Sequence, residues 1–204
     1  MTSIAVAATM PGAGVREVAL RMNGASGGVW HVRLTRVALP GAQTPPDYQD
    51  TLTVTAPDGA RAYRSPGDTG ELLARLRKGS GTETYFPHQT ASIAGTASLM
   101  HSDAQQVVLS VDQTGADCGL ATITVLGMSQ RTHRVVPLAR ATNFCDLSAT
   151  VVGNAVQLAG PYYAHGAPLC CPTKPRVTAT LRYVNNAWRE TPAYFPLTGL
   201  REGG

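Results

Sequence analysis

Two dipeptides, Gly153-Asn154 and Asn185-Asn186, each stand between runs that alternate apolar with polar residues, and this pattern most constrains the fold. A two-residue connection that tolerates positive φ between period-two runs is the signature of a β-hairpin with a primed turn. Residues 147–152 then pair with 155–158, and 178–184 with 187–190. A third hairpin joins 15–21 to 29–39 across the turn composition of residues 23–28. A fourth joins 51–55 to 60–64 across Pro57-Asp58-Gly59, a turn former. In residues 29–39, Trp30, Val32 and Leu34 share one face and His31, Arg33 and Thr35 the other, which places the tryptophan in a core and the histidine in solvent.

Further short runs at 90–99, 105–112, 120–127 and 134–139, with 21 Gly and 14 Pro in 204 residues, extend the same reading. The expected fold is mainly β, an antiparallel sandwich or a barrel-like closure. One short helix is expected around residues 68–78. Asp68 or Thr69 supplies its N-cap, Leu72, Leu73 and Leu76 its apolar stripe, and Arg75, Arg77 and Lys78 its cationic end before Gly79. The expected organisation is a flexible segment over 1–14, a β domain over 15–190 and a C-terminal tail over 191–204. If the β domain is two units, their junction falls near 79–82, where Gly and Ser cluster.

The four cysteines are Cys118, Cys145, Cys170 and Cys171. Adjacent cysteines rarely bond to each other, because the short ring strains the peptide between them. Joining Cys118 to one member of the doublet and Cys145 to the other gives two bridges. The alternative, Cys118 with Cys145, leaves the doublet to bond internally or stay reduced. An even count in a Gly- and Pro-rich chain points to cystine and an oxidising compartment, and no Cys-x-x-Cys spacing favours redox chemistry. Closing loops tens of residues long stabilises each bridge by about 3 to 4 kcal/mol.

A formal charge of +4, with 17 Lys+Arg against 13 acids, raises the question of nucleic acid. The cations are spread along the chain, whereas binding a phosphate backbone needs them clustered, so nucleic acid is not an expected partner. No apolar run approaches the roughly 20 residues of a membrane-spanning helix, and the expected relation to a membrane is peripheral. The opening residues lack a basic n-region and are too short for a complete signal peptide, though Ala5-Val6-Ala7 has the small residues of a cleavage site; export, to the periplasm, cell envelope or medium, is expected from the cysteines.

Two segments carry a family likeness: Gly115-Ala116-Asp117-Cys118-Gly119 before an apolar strand, and Gly166-Ala167-Pro168-Leu169-Cys170-Cys171-Pro172-Thr173 before the strand with Arg182-Tyr183 and the turn before Trp188. They resemble a loose group of small exported bacterial envelope proteins and lipoproteins. Members of that group carry an Asp-Pro-Leu/Met-Cys-Cys-Pro-Ser/Thr element, with Ala167 here in place of the Asp. The likeness spans roughly residues 105–190. It implies an exported, disulfide-bonded envelope protein and supplies no catalytic residue.

Chemistry in the rest of the chain is sparse. Tyr162, Tyr163 and His165 form an aromatic group before the cysteine loop, suited to a stacked ligand or to covering a disulfide. His31, His101, His133 and His165 are candidate copper or zinc ligands, as in an extracellular copper-dependent superoxide dismutase, although no His-x-His pair sets two imidazoles on one strand face. No Gly-x-Ser-x-Gly elbow and no paired carboxylates point to hydrolysis. The reading that follows is a binding or structural accessory subunit of the cell envelope or surface layer, partnered by an envelope or surface-layer protein. It has no catalytic residues and no cofactor. The alternative is the copper oxidoreductase.

Overall fold

The computed structural model describes residues 12–24, 26–38, 48–64, 89–100, 102–113, 120–167 and 172–199. They form thirteen strands, which in chain order are β1 Gly14–Leu20, β2 Trp30–Ala38, β3 Tyr48–Thr55, β4 Arg61–Arg64, β5 Gln89–Ala97, β6 Gln106–Gln113 and β7 Leu120–Met128. The series continues with β8 Val135–Phe144, β9 Ser148–Val152, β10 Ala155–Tyr162, β11 Lys174–Val184, β12 Ala187–Thr191 and β13 Leu197–Gly199. All pair antiparallel in three sheets: an N-terminal sheet β1-β2-β3-β4, a central sheet β13-β8-β7-β6-β5 and a C-terminal sheet β12-β11-β10-β9. None of the three closes on itself, so the barrel-like alternative gives way to stacked sheets.

The central sheet is buried on both faces. Ile93, Val107, Leu109, Leu126 and Val135 pack with Leu20, Trp30, Val32, Leu34 and Leu52 of the N-terminal sheet. Val108, Ile123, Val125, Leu138 and Ala141 pack on the other side with Val156, Leu158, Val177, Leu181 and Trp188. Each fully buried aliphatic side chain contributes about 1.5 to 3 kcal/mol, so two such layers hold the three sheets together. Among the described residues no helix occurs. The one expected around 68–78, the junction near 79–82 and the segment before residue 12 all lie outside the described residues.

The hairpins follow their turns. Asn185 and Asn186 have φ of 51° and 57°, as a type I′ turn requires, whereas at Gly153-Asn154 only the glycine is positive, at 59°. Trp30, Val32 and Leu34 are buried and His31 is exposed, as alternation demands. The expected tail is part of the fold as far as Gly199. Thr191 ends β12, and β13 then pairs Leu197 with Ala141 at the edge of the central sheet. A methyl group on Gly199 would lie 3.1 Å from Trp188 Cβ, so the small residue lets this strand close over the tryptophan.

One ion pair ties the N-terminal and central sheets. Arg36 and Asp50 are cross-strand partners whose side chains are only 4% and 1% exposed. The guanidinium grips the carboxylate through Nε at 2.7 Å and a terminal nitrogen at 2.6 Å. Asp50 also accepts the Ala91 N–H of β5 at 2.7 Å, and Arg36 donates to the Ala91 carbonyl at 3.3 Å. A desolvated pair is tolerated only when its remaining hydrogen-bonding capacity is met, and here a neighbouring strand meets it.

Candidate functional site

Of the aromatic group at the end of β10, Tyr162 has a described ring contact. Tyr162, at the end of β10, sits 5.1 Å from the Tyr194 ring, and Tyr194 meets the buried Phe195 at 6.5 Å. Lys174 places its ammonium 5.7 Å over Tyr194. The Glu190 carboxylate accepts the backbone N–H groups of Tyr194, at 2.9 Å, and Phe195, at 3.1 Å, fixing the turn that brings these rings in. Burial raises the Glu190 pKa and those two N–H groups oppose the rise. Tyr163 follows Tyr162 in the chain and the exposed His165 lies in the turn at Gly166, beside which Ala164 N–H bonds Thr173 Oγ1 at 2.9 Å.

Three of the four metal candidates fall within the described residues. His31 is exposed on β2 with Nδ1 2.6 Å from Glu17 Oε1. His133 is in the left-handed region, φ 50°, in the β7–β8 turn, and His165 is in the turn after β10. His101 lies outside the described residues, and among those described no three His, Cys, Asp or Glu side chains gather in metal-binding proximity. Cys145 is disulfide-bonded. Its three possible partners, Cys118, Cys170 and Cys171, lie outside the described residues.

Cys145 and Asp146 occupy a tight corner between β8 and β9, with φ of 57° and 70°. Asn143 secures the corner by donating to the carbonyls of Asp146 at 3.0 Å and Pro161 at 2.8 Å. Gly160 is required there, because a Cβ would stand 2.6 Å from the Asp146 carbonyl oxygen. Nearby in charge terms, the Asp112 carboxyl is pushed up to about 6 by burial and then by Asp146. Its Oδ1 is buried with no hydrogen-bond partner among the described residues.

The outward surface of the C-terminal sheet is the other chemically marked region. Along β11, Val177, Ala179, Leu181 and Tyr183 turn inward, leaving Arg176, Thr178, Thr180 and Arg182 outside. Arg182 is directly opposite Arg189 of β12. The next row runs Thr150, Gln157, Thr180 and Thr191 across all four strands. Three direct cross-strand pairs join two charged residues in the described strands. Glu17 faces Arg33 and Arg36 faces Asp50, both of opposite sign, and Arg182 faces Arg189. Like charges directly opposed destabilise a ladder, so this pair is a cost that the fold itself does not require.

The arginine pair was absent from the residues singled out by sequence, yet its signal was there. A two-residue turn at Asn185-Asn186 fixes the register, and counting back from it sets residue 182 against 189. Compared with known proteins, the chain matches no family model, no curated protein and no solved structure.

Proposed function

We propose that the protein is an exported binding or structural accessory of the cell envelope or surface layer, working through the broad outer surface of a stacked β fold. The observation that carries this reading is the outer face of the C-terminal sheet. It is exposed and mostly polar, and its Arg182-Arg189 pair has no acidic partner among the described residues. A like-charge pair kept in a ladder is accounted for by something outside that neutralises it.

The disulfide at Cys145 supports an oxidising location, in which a bridge holds the β8–β9 corner against the rest of the chain. We favour the scheme in which Cys118 and Cys145 each take one member of the Cys170-Cys171 doublet. The test is fractionation of native cells followed by cross-linking and affinity capture of the intact protein, with peptide mapping of the cysteines without reduction. The reading expects recovery in the envelope fraction with a reproducible partner and no free thiol. Recovery in the cytosol with four reduced cysteines would overturn it.

A further inference from the structure

We propose that the outer face of the C-terminal sheet is a docking surface for a carboxylate-bearing polysaccharide. This rests on the accessory reading above and names the chemistry of what that face takes.

Charge comes first. Arg176, Arg182 and Arg189 are all exposed, and none forms an ion pair with a described carboxylate. The acidic residue of β12, Glu190, points the other way, toward the backbone of Tyr194 and Phe195. On the opposite outer surface, that of the N-terminal sheet, one arginine has an acidic cross-strand partner. There Glu17 binds Arg33 Nε at 2.9 Å and His31 at 2.6 Å, and these contacts hold its carboxyl below the usual range, Arg33 contributing most. The Arg33 of that face is paired to a carboxylate, whereas Arg182 and Arg189 face each other with none among the described residues.

Geometry then selects among polyanions. Six residues of extended chain set Arg176 about 20 Å from Arg182, so the cations span the sheet rather than form a pocket for one small anion. Guanidinium forks fit carboxylates in two parallel hydrogen bonds. The row Thr150, Gln157, Thr180 and Thr191 beside the arginine pair offers hydroxyls and an amide, which donate to and accept from sugar hydroxyls.

Single-stranded nucleic acid is disfavoured because it needs aromatic platforms. The aromatic residues of β11 and β12, Tyr183 and Trp188, are instead turned inward and stacked at 5.4 Å. A lipid surface needs inserted apolar side chains, and this face offers Val152 and Val184 near one end, with no aromatic to anchor them.

The test measures binding of the whole oxidised protein to polygalacturonate at about 50 mM salt, where screening is weak. Methyl-esterified polygalacturonate, duplex DNA and phosphatidylglycerol vesicles are run in parallel. Expected are selective binding of the free acid and a loss of roughly tenfold or more in an Arg182→Gln/Arg189→Gln variant. A single Arg176→Gln variant should show a smaller loss, and a Glu17→Gln/Arg33→Gln variant should bind like wild type. No binding of polygalacturonate, equal binding of the methyl ester, DNA or vesicles, or full binding by the double variant would each overturn the inference. Envelope recovery without polyuronate binding would sink this inference alone. Polyuronate binding by a protein that native cells keep reduced in the cytosol would sink the accessory reading alone.

Discussion

Asp112 gives a sharp test of the packing around the β8–β9 corner. Its folded pKa is about 6 against an ordinary value of 3.8, with burial as the main cause and the Asp146 charge as the second. In the unfolded chain the carboxyl has released its proton by pH 5, while in the native state it still holds it. Between about pH 4 and 6 the unfolded state therefore binds fewer protons, and stability falls as pH rises through that window, then levels off. At full weight the gap between 3.8 and about 6 corresponds to roughly 3 kcal/mol. Asp112 is only half-buried, and screening by solvent reduces this to about 1 to 2 kcal/mol. Asp112→Asn keeps the shape and removes the titration. Urea unfolding from pH 3.5 to 8, without reductant, should show the two proteins close in stability near pH 4 and the variant ahead by about 1 to 2 kcal/mol at pH 7. Glu190, whose pKa is also raised, is common to both and cancels in the difference. A difference that stays constant across the range would refute the burial argument. If instead Asp146→Asn alone abolished the effect, repulsion rather than burial would be the dominant cause.

Two further substitutions probe the joints of the fold. Asp50→Asn removes the charge facing a guanidinium that is 4% exposed and should lower stability by about 3 to 5 kcal/mol in denaturant titrations, whereas an Arg36→Met/Asp50→Leu pair should recover most of that loss. Gly160→Ala drives a methyl group against the Asp146 carbonyl and the Asn143 amide, 2.6 and 3.1 Å away, and should cost about 1 to 3 kcal/mol by thermal unfolding, while Gly153→Ala at the open β9–β10 turn, strained by its positive φ but without a steric clash, should cost less.

Strand positions were largely legible in the sequence, because alternation and turn chemistry are local. Residues 120–127 became β7 Leu120–Met128, and residues 187–190 became β12 Ala187–Thr191. What escaped was any feature decided by a third layer. Val107-Val108-Leu109 and Val125-Leu126 break the alternation, and the reason is that the central sheet is apolar on both faces. A run of this kind reads as a strand either way, so the second covering sheet left its trace in the lack of a polar face. The three residues of β13 have no periodicity to read, and they are a strand because Ala141 and its neighbours on β8 offer an open edge. Arg36 and Asp50 belong to different strands, and only the register of β2 on β3 makes them partners.

The chemically marked residues were hidden for a related reason. Histidine, cysteine and tyrosine stand out in a sequence by their intrinsic reactivity, and among the described residues Tyr162 packs on Tyr194 and no cluster of three metal-binding side chains forms. Arg182 and Arg189 have no such reactivity, and seven positions of separation make them look unrelated. Their relation is created by Asn185-Asn186, whose positive φ values force a two-residue turn and with it a one-to-one pairing of the flanking strands. The alternation then settles the face: Tyr183 and Trp188 are buried, so their neighbours 182 and 189 must be outside. In a β-hairpin the charge pairing across strands follows from turn and parity together. Reading it shows whether a surface resolves its own charges, as at Glu17 and Arg33, or carries them outward, as at Arg182 and Arg189.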